Sequence, residues 1–282
     1  MPGSLYVVAT PIGNLEDITL RALRVLREVA IIAAEDTRRT AKLLSHYSIS
    51  TPTTSVHAHN EYLRIRGLLD RLAKGEDVAL VSDAGTPGVS DPGRQLVAAA
   101  LERGFKVVAI PGASAVMAAL VSSGFSMDAF LFAGFPPRRA KAREEWLRRL
   151  SGDPASIVFF EAPHRIKETL AAAAPIFGDR PITVARELTK VHETLVKGPI
   201  SAVVQSLGQP RGEYTVVVSA TESDAKHRME LPEGELLLAE FGQITDFGAM
   251  SRREAIAQLA QKYRRAPREV YAAIENAKRS AS

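Results

Sequence analysis

Short strand-forming runs alternate with amphipathic helical segments along the first 120 or so residues, and this alternation restricts the fold more than any other feature of the chain. Residues 5–9, 31–34, 78–81 and 106–110 read as strands, with a further short strand at 55–58. Between them, residues 20–29 carry Leu20, Leu23 and Leu26 at helical spacing, the polar segment 35–40 opens a helix ending near Tyr47, and 60–73 is a helix followed by Gly75. Residues 94–103 form the next helix, and 111–115 turn into another at 116–121. A repeated strand, helix, strand order needs parallel crossovers, which predicts a five-stranded parallel sheet covered on both faces.

The second portion has another rhythm. Residues 131–134 and 156–160 read as strands around a basic helix containing Trp146 and Leu147, and 165–177 as a helix. Residues 182–186 and 193–196 are strands only a few residues apart, so they predict a hairpin and a mixed sheet; a helix at 199–207 and a strand at 214–219 follow. Ser, Gly and Asp interrupt the pattern near 122–129, and 221–234 turns polar like a linker. Beyond it, Ser251 with Glu254 three residues on is a capping signature, and Pro267 starts another helix. These two helices read as a small helix-turn-helix, a dimer clasp or a packing appendage. The expected architecture is α/β: an N-terminal domain at 1–122 with a parallel sheet, a second α/β domain at 123–222 with a mixed sheet, a ligand cleft between them, and a linker with a helical tail at 223–282.

The stretch from Ser82 to Gly93 lies between the strand at 78–81 and the following helix, where open α/β folds keep their ligands. Gly85, Gly88 and Gly93 permit positive φ and expose backbone amides, Pro87 and Pro92 stiffen the path, and Asp83, Thr86 and Ser90 add acceptors and hydroxyls. Asp91 reads as the N-cap of the next helix, with Pro92 at its first position. Capping leaves residues 83–90 unexplained, because a compact connection needs fewer residues; they read as a ligand-binding loop.

Composition narrows the chemistry. The chain contains no cysteine, which excludes disulfides and thiolate catalysis, and its six histidines show no metal-binding spacing; His57 and His59 lie two apart with no third ligand near them. No metal is expected. The longest apolar runs are far shorter than the roughly 18 to 20 residues of a membrane span, and the first residues read as a strand without a basic leader, so a cytoplasmic location and no membrane contact are expected. The net charge of +4 is unevenly spread: Arg138, Arg139, Lys141, Arg143, Arg148 and Arg149 stand against only Glu144 and Glu145, and six basic residues between Arg252 and Arg268 against Glu254 alone. Such runs attract polyanions, although a solvated helix face has the same composition. Neither the Gly-x-Gly-x-x-Gly fingerprint nor a Walker lysine is present, which disfavours a nicotinamide enzyme or a P-loop NTPase.

Five segments together resemble one family. Residues 5–19 (Leu-Tyr-Val-Val-Ala-Thr-Pro-Ile-Gly-Asn-Leu-Glu-Asp-Ile-Thr), Glu35-Asp36-Thr37-Arg38, the loop Ser82 to Gly93, Pro111-Gly112-Ala113-Ser114-Ala115 and Phe160-Glu161-Ala162-Pro163-His164-Arg165 are similar, in order, to the small-subunit rRNA methyltransferases of the tetrapyrrole methylase superfamily. Arg186-Glu187-Leu188-Thr189-Lys190 also fits, and the tail is the least diagnostic part. The resemblance implies S-adenosylmethionine-dependent 2'-O-methylation of a cytidine in the decoding region of 16S rRNA, on free RNA or the small subunit, by a homodimer whose cofactor sits between two α/β domains. It implies cofactor contacts at Pro11, Ile12, Asp83, Gly85, Thr86, Val89, Ser114 and Ala115, with Phe160 and Leu188 enclosing the adenine; plain core packing is the other reading of those last two. Two rivals remain open: methylation of a small, tetrapyrrole-type substrate, and a non-catalytic RNA-binding assembly factor on the same fold.

A sulfonium methyl is already activated, so alignment supplies most of the acceleration, and a base or cation near the ribose hydroxyl assists. Glu161, His164, Glu187 and Lys190 are the candidates, with Glu35 and Asp36 on a neighbouring loop; Glu187 and Lys190 stand beside the expected cofactor position. Each also has an ordinary role available, as a cap, a helix start or a surface pair. Arg38, Arg39, Arg138, Arg139, Lys141 and Arg143 are expected to track RNA phosphates.

Overall fold

The computed structural model describes residues 1–56, 61–221, 231–247, 250–263, 265 and 267–280. His57 and His59, the end of the expected strand at 55–58, Asn60 and most of the turn at 264–266 lie outside the described residues. The chain divides into two compact units, Met1–Ala220 and Thr221–Ser282.

In the first unit, β1 (Ser4–Val8), β2 (Ile31–Ala34), β3 (Thr53–Ser55), β4 (Val78–Val81) and β5 (Lys106–Ile110) form a parallel sheet in the order β3-β2-β4-β1-β5. Successive strand side chains point to opposite faces, so the continuous apolar runs of β2 and β4 bury both. Ile32, Ala34, Ala79 and Val81 pack with Ala22 and Leu26 of α1 (Leu20–Glu28) and Leu44 of α2 (Thr37–His46). Ile31, Ala33, Val78 and Leu80 pack on the other side with Leu69 and Leu72 of α3 (Glu61–Ala73) and Leu96 of α4 (Arg94–Glu102).

The strand order creates a switch point. After β1 the chain crosses to β2 by α1 on one face, and after β4 it crosses to β5 by α4 on the other. β1 and β4 are neighbours, so the loops at their carboxyl ends diverge and open a crevice between them.

The second sheet comprises β6 (Phe130–Phe132), β7 (Ser156–Glu161), β8 (Pro181–Arg186), β9 (Thr194–Pro199) and β10 (Tyr214–Val218), in the order β6-β7-β10-β8-β9. β6 runs parallel to β7; the other pairings are antiparallel, including the β8–β9 hairpin. One face is covered by α6 (Ala140–Ser151), α7 (Ile166–Phe177) and α8 (Ile200–Ser206), through Leu147, Leu170 and Val203 on Ile157, Phe159 and Val216. The opposite face receives α5 (Ala115–Ser123), which enters from β5 of the first sheet: Val116, Ala119 and Leu120 pack against Val158, Ala185, Leu188 and Val217. That single helix joins the two lobes through a common apolar core.

Two details differ from the sequence reading. α4 begins at Arg94, as its expected range has it, but Gly93 holds the N-cap position at a φ of 116°, so Asp91 and Pro92 stand ahead of the helix rather than capping it. In the second unit, α9 (Gly234–Gly242) precedes the expected pair, followed by a π-helical turn (Gln243–Phe247), α10 (Arg252–Tyr263) and α11 (Pro267–Ser280). α9 starts at glycine behind Glu233, with no side-chain cap, so the usual entry signals are missing. The Ser251–Glu254 capping box is formed: the Glu254 amide donates to the Ser251 hydroxyl at 3.3 Å and the Ser251 amide to the Glu254 carboxylate at 2.9 Å. Leu237, Phe241, Leu259, Tyr263, Val270 and Ile274 form this unit's own core.

Candidate functional site

The loops after β1 and β4 are tied together at the switch point. The Thr10 amide donates to the Gly85 carbonyl at 2.9 Å, the Gly85 amide returns a bond to the Thr10 carbonyl at 3.0 Å, and the Thr10 hydroxyl donates to the Ser82 carbonyl at 3.1 Å. Gly85 takes a φ of 75°, a conformation strained for any other residue, and this turns the loop outward. Between these loops, the start of α5 and the ends of β7, β8 and β10 lies a largely apolar cavity of about 360 Å³. That volume lies at the lower end of the usual small-molecule range.

Among the sequence-predicted contacts, Ile12, Gly85, Thr86, Val89, Ser114, Ala115, Phe160 and Leu188 line this cavity. Pro11 and Asp83 instead line a smaller neighbouring cleft with Thr10, Arg39 and Lys42. Ser114 also caps α5, its hydroxyl accepting the Met117 amide at 3.4 Å. Phe160 belongs to an aromatic cluster, 5.0 Å from Phe132 and 5.4 Å from Phe135 between ring centroids. Leu188 sits between Glu187 and Thr189, both at positive φ (52° and 66°), in a strained turn that directs it to the cavity and to the α5 core.

The cavity also has walls the sequence reading did not name: Phe135, Asp91, Ala185 and the segment 212–215. Phe135 is placed by tertiary anchors. Arg165 donates to the Pro136 carbonyl at 2.6 Å and pairs with Glu161 at 3.0 Å, which holds the 135–136 turn over the end of β7. No local pattern signals that closure. Asp91 was visible but assigned to capping.

The expected catalytic candidates fare differently from one another. Glu161 borders the cavity, yet it is buried and fully bonded: it accepts the Thr169 hydroxyl at 2.6 Å, its own neighbour's amide at Ala162 at 2.8 Å, and Arg165. It is a structural anchor. His164 is exposed and does not line the cavity. Glu187 packs directly behind Gly212, where an added Cβ would stand 2.3 Å from its carboxylate, and pairs with Lys190 at 2.9 Å; Lys190 also bonds Glu213 at 2.9 Å. The Lys190 hydrogen bond holds the Glu187 carboxyl below its usual range, while burial of Lys190 is outweighed by Glu187 and Glu213, which raise the ammonium. Both therefore stay charged and matched, behind the cavity wall rather than on it.

Arg38, Arg39, Arg138, Arg139 and Lys141 are exposed. Arg143 departs from the expectation of a phosphate contact: it is buried, with its guanidinium bonded to Glu168 of α7 and to the Arg138 carbonyl at 3.4 Å. It lies on the same stripe of α6 as Leu147 and Leu150, four and seven residues on, so the helix turns it inward. A second carboxylate group stands between the loops after β2 and β4. The Asp36 amide donates to Asp83 at 3.0 Å, the Asp83 amide to Glu35 at 3.3 Å, and Arg39 reaches Asp83 at 3.4 Å. Burial, opposed by the Asp83 amide, raises the Glu35 carboxyl.

A parallel lobe and a mixed lobe sharing one helix, with a cavity at their strand ends, define a tetrapyrrole methylase-fold protein. The family model described as Tetrapyrrole (Corrin/Porphyrin) Methylases matches residues 4–204. Among solved structures, a diphthine synthase superposes with a TM-score of 0.62 at 17% identity, covering 77% of this chain and 90% of that one. The uroporphyrin III C-methyl transferase of Thermus thermophilus gives 0.55 at 18%, covering 77% and 97%. Closer relatives are proteins named ribosomal RNA small subunit methyltransferase I: that of Synechocystis is 44% identical over 95% of this chain and 96% of its own, and that of Pseudomonas aeruginosa 46% over 83% and 82%. The chain belongs to this methyltransferase family, ribosomal RNA small subunit methyltransferase I.

Proposed function

We propose that the chain transfers the methyl group of S-adenosylmethionine to the 2'-oxygen of a cytidine ribose in the decoding region of 16S rRNA. One observation carries the reading: a chain of this methyltransferase family builds an apolar cavity with polar edges from loops of both its lobes.

The residues fit an adenosine joined to a charged amino-acid tail. Phe160 and Leu188 offer apolar walls for a base, and the backbone of 84–89 with Ser114 offers the polar edge. At Gly85 an added Cβ would stand 3.4 Å from the Ile12 side chain and 3.8 Å from the Ala113 carbonyl, so glycine keeps the space between the first and third loops open. Pro11 and Asp83 support that cradle from the adjoining cleft. When bound, S-adenosylmethionine supplies an activated methyl group. The protein's part is to hold the ribose oxygen in line with it; Phe135, Val89 and the 212–215 segment line the cavity where that alignment is made.

The exposed cations Arg38, Arg39, Arg138, Arg139 and Lys141 are assigned to RNA phosphates, Arg39 at the smaller cleft and Arg138 just beyond Phe135 in the chain. A homodimer acting in the cytoplasm belongs to the same reading; among the described residues, no helix is long and apolar enough to cross a membrane. The decisive experiment incubates the protein with methyl-labelled S-adenosylmethionine and either small ribosomal subunits or free 16S rRNA, then maps the label by nuclease digestion and mass spectrometry. Label on one cytidine ribose is expected. Label on a base, or on an added tetrapyrrole with none on RNA, would overturn the reading.

A further inference from the structure

Three acidic side chains border the main cavity: Asp91, Glu161 and Glu213. Two are already committed. Glu161 is consumed by Thr169, Ala162 and Arg165, and Glu213 is ion-paired with Lys190. Asp91 differs from both. It is partly buried, its side chain is hydrogen-bonded to Ser82, and among the described residues no cation forms an ion pair with it. Its neighbours are like charges: Glu35 at the end of β2 and Asp83 at the start of its own loop, the latter shared with Arg39 of α2. Helix capping does not account for it, because α4 starts beyond Gly93. A desolvated, uncompensated carboxylate on a binding cavity wall is costly to the fold, and such costs are concentrated where chemistry is done.

We infer that Asp91 is the proton acceptor for the hydroxyl that is methylated, an assignment that rests on the methyl-transfer reading above. The hydroxyl proton passes to the Asp91 carboxylate as the oxygen lone pair forms its bond to the methyl carbon. The carbon–sulfur bond breaks with its electrons going to sulfur, leaving a neutral thioether, and Asp91 later releases the proton to water. Burial first, then the charge of Glu35 and, more weakly, of Asp83, raise the Asp91 carboxyl to about 6, and the Ser82 hydrogen bond offsets only part of this. A carboxylate so tuned is still ionised at neutral pH and accepts a proton more readily than an ordinary aspartate.

The test compares the wild type with Asp91→Asn, which keeps the shape, and Asp91→Glu, which keeps the charge. Calorimetry with S-adenosylhomocysteine reads binding, single-turnover transfer to small subunits between pH 5 and 9 reads chemistry, and denaturation without ligand reads the carboxyl itself. For D91N, product affinity within about threefold and a transfer rate lower by roughly 10²–10⁴-fold are expected. The wild-type rate should climb through about pH 6 and level off; D91E should retain an inflection and D91N should lose it. Without ligand, D91N should be the more stable protein above about pH 6, and the difference should shrink as pH falls and vanish only well below 3.8, the ordinary aspartate value, where the wild-type carboxyl is neutral both folded and unfolded. A D91N rate within threefold of wild type, a loss confined to product affinity, or an unchanged inflection would overturn the assignment. A wild type that transfers no methyl to RNA would instead bring down the functional reading and this residue with it, whereas an active wild type beside an equally active D91N removes Asp91 alone.

Discussion

At Gly85 the backbone does what a side chain forbids. Its φ of 75° and its paired bonds to Thr10 join the loops after β1 and β4, and any β-branched replacement must adopt left-handed backbone there. Gly85→Val should cost about 1–2 kcal/mol of stability, the usual scale for such strain. It should also weaken S-adenosylhomocysteine at least tenfold by calorimetry, because the added methyls enter the space beside Ile12. Unchanged affinity would remove this loop from the proposed site. The glycine spacing was legible in the sequence, since positive φ is a property of one residue and its neighbours. The role of Asp91 was not. Asp-Pro ahead of a helix is a capping signal, and only the actual helix start, two residues later than that signal implied, freed the carboxylate for the cavity.

α5 decides how the lobes meet. Leu120, fully buried, packs in the core that includes Val158, Ala185 and Leu188, and Leu188 is also a cavity wall. Leu120→Ala should lower stability by about 2–5 kcal/mol in chemical denaturation, through lost burial and the void left behind. It should weaken product binding as well, because the void lies directly behind the cavity lining; normal affinity in a destabilised variant would show that the lining does not depend on this helix. α6 teaches a different lesson. Its basic composition suggested that Lys141 and Arg143 both face RNA, but the stripe of Arg143, Leu147 and Leu150 was readable from helical periodicity and should have marked Arg143 as inward-facing. Arg143→Ala is accordingly expected to destabilise the α6–α7 contact while leaving the salt dependence of RNA binding unaltered.

For the whole molecule, a net charge of +4 is small, and attraction to RNA depends on where the exposed cations lie, two of which, Arg38 and Arg39, are ion-paired with Asp36 and Asp83. If the five exposed residues Arg38, Arg39, Arg138, Arg139 and Lys141 each neutralise a phosphate, affinity for RNA should fall roughly a hundredfold between ~50 and ~200 mM salt. Filter binding across that range checks it; a flat response would remove these residues from the interface.

Over residues 1–220 the order of strands and helices, the parallel and mixed sheets, the hairpin and the glycine-rich loop were determined by the sequence alone, because hydrophobic period and turn chemistry act over a few residues, whereas the helix at Gly234–Gly242 carries no such entry signal. Tertiary structure decided the rest. It brought Thr10 to Gly85, laid α5 across the second sheet, set Phe135 beside Phe160 at the end of β7 and left Asp91 facing the cavity without a counter-charge. Each of these depends on desolvation and on partners from other elements, and no pattern along the chain carries that information.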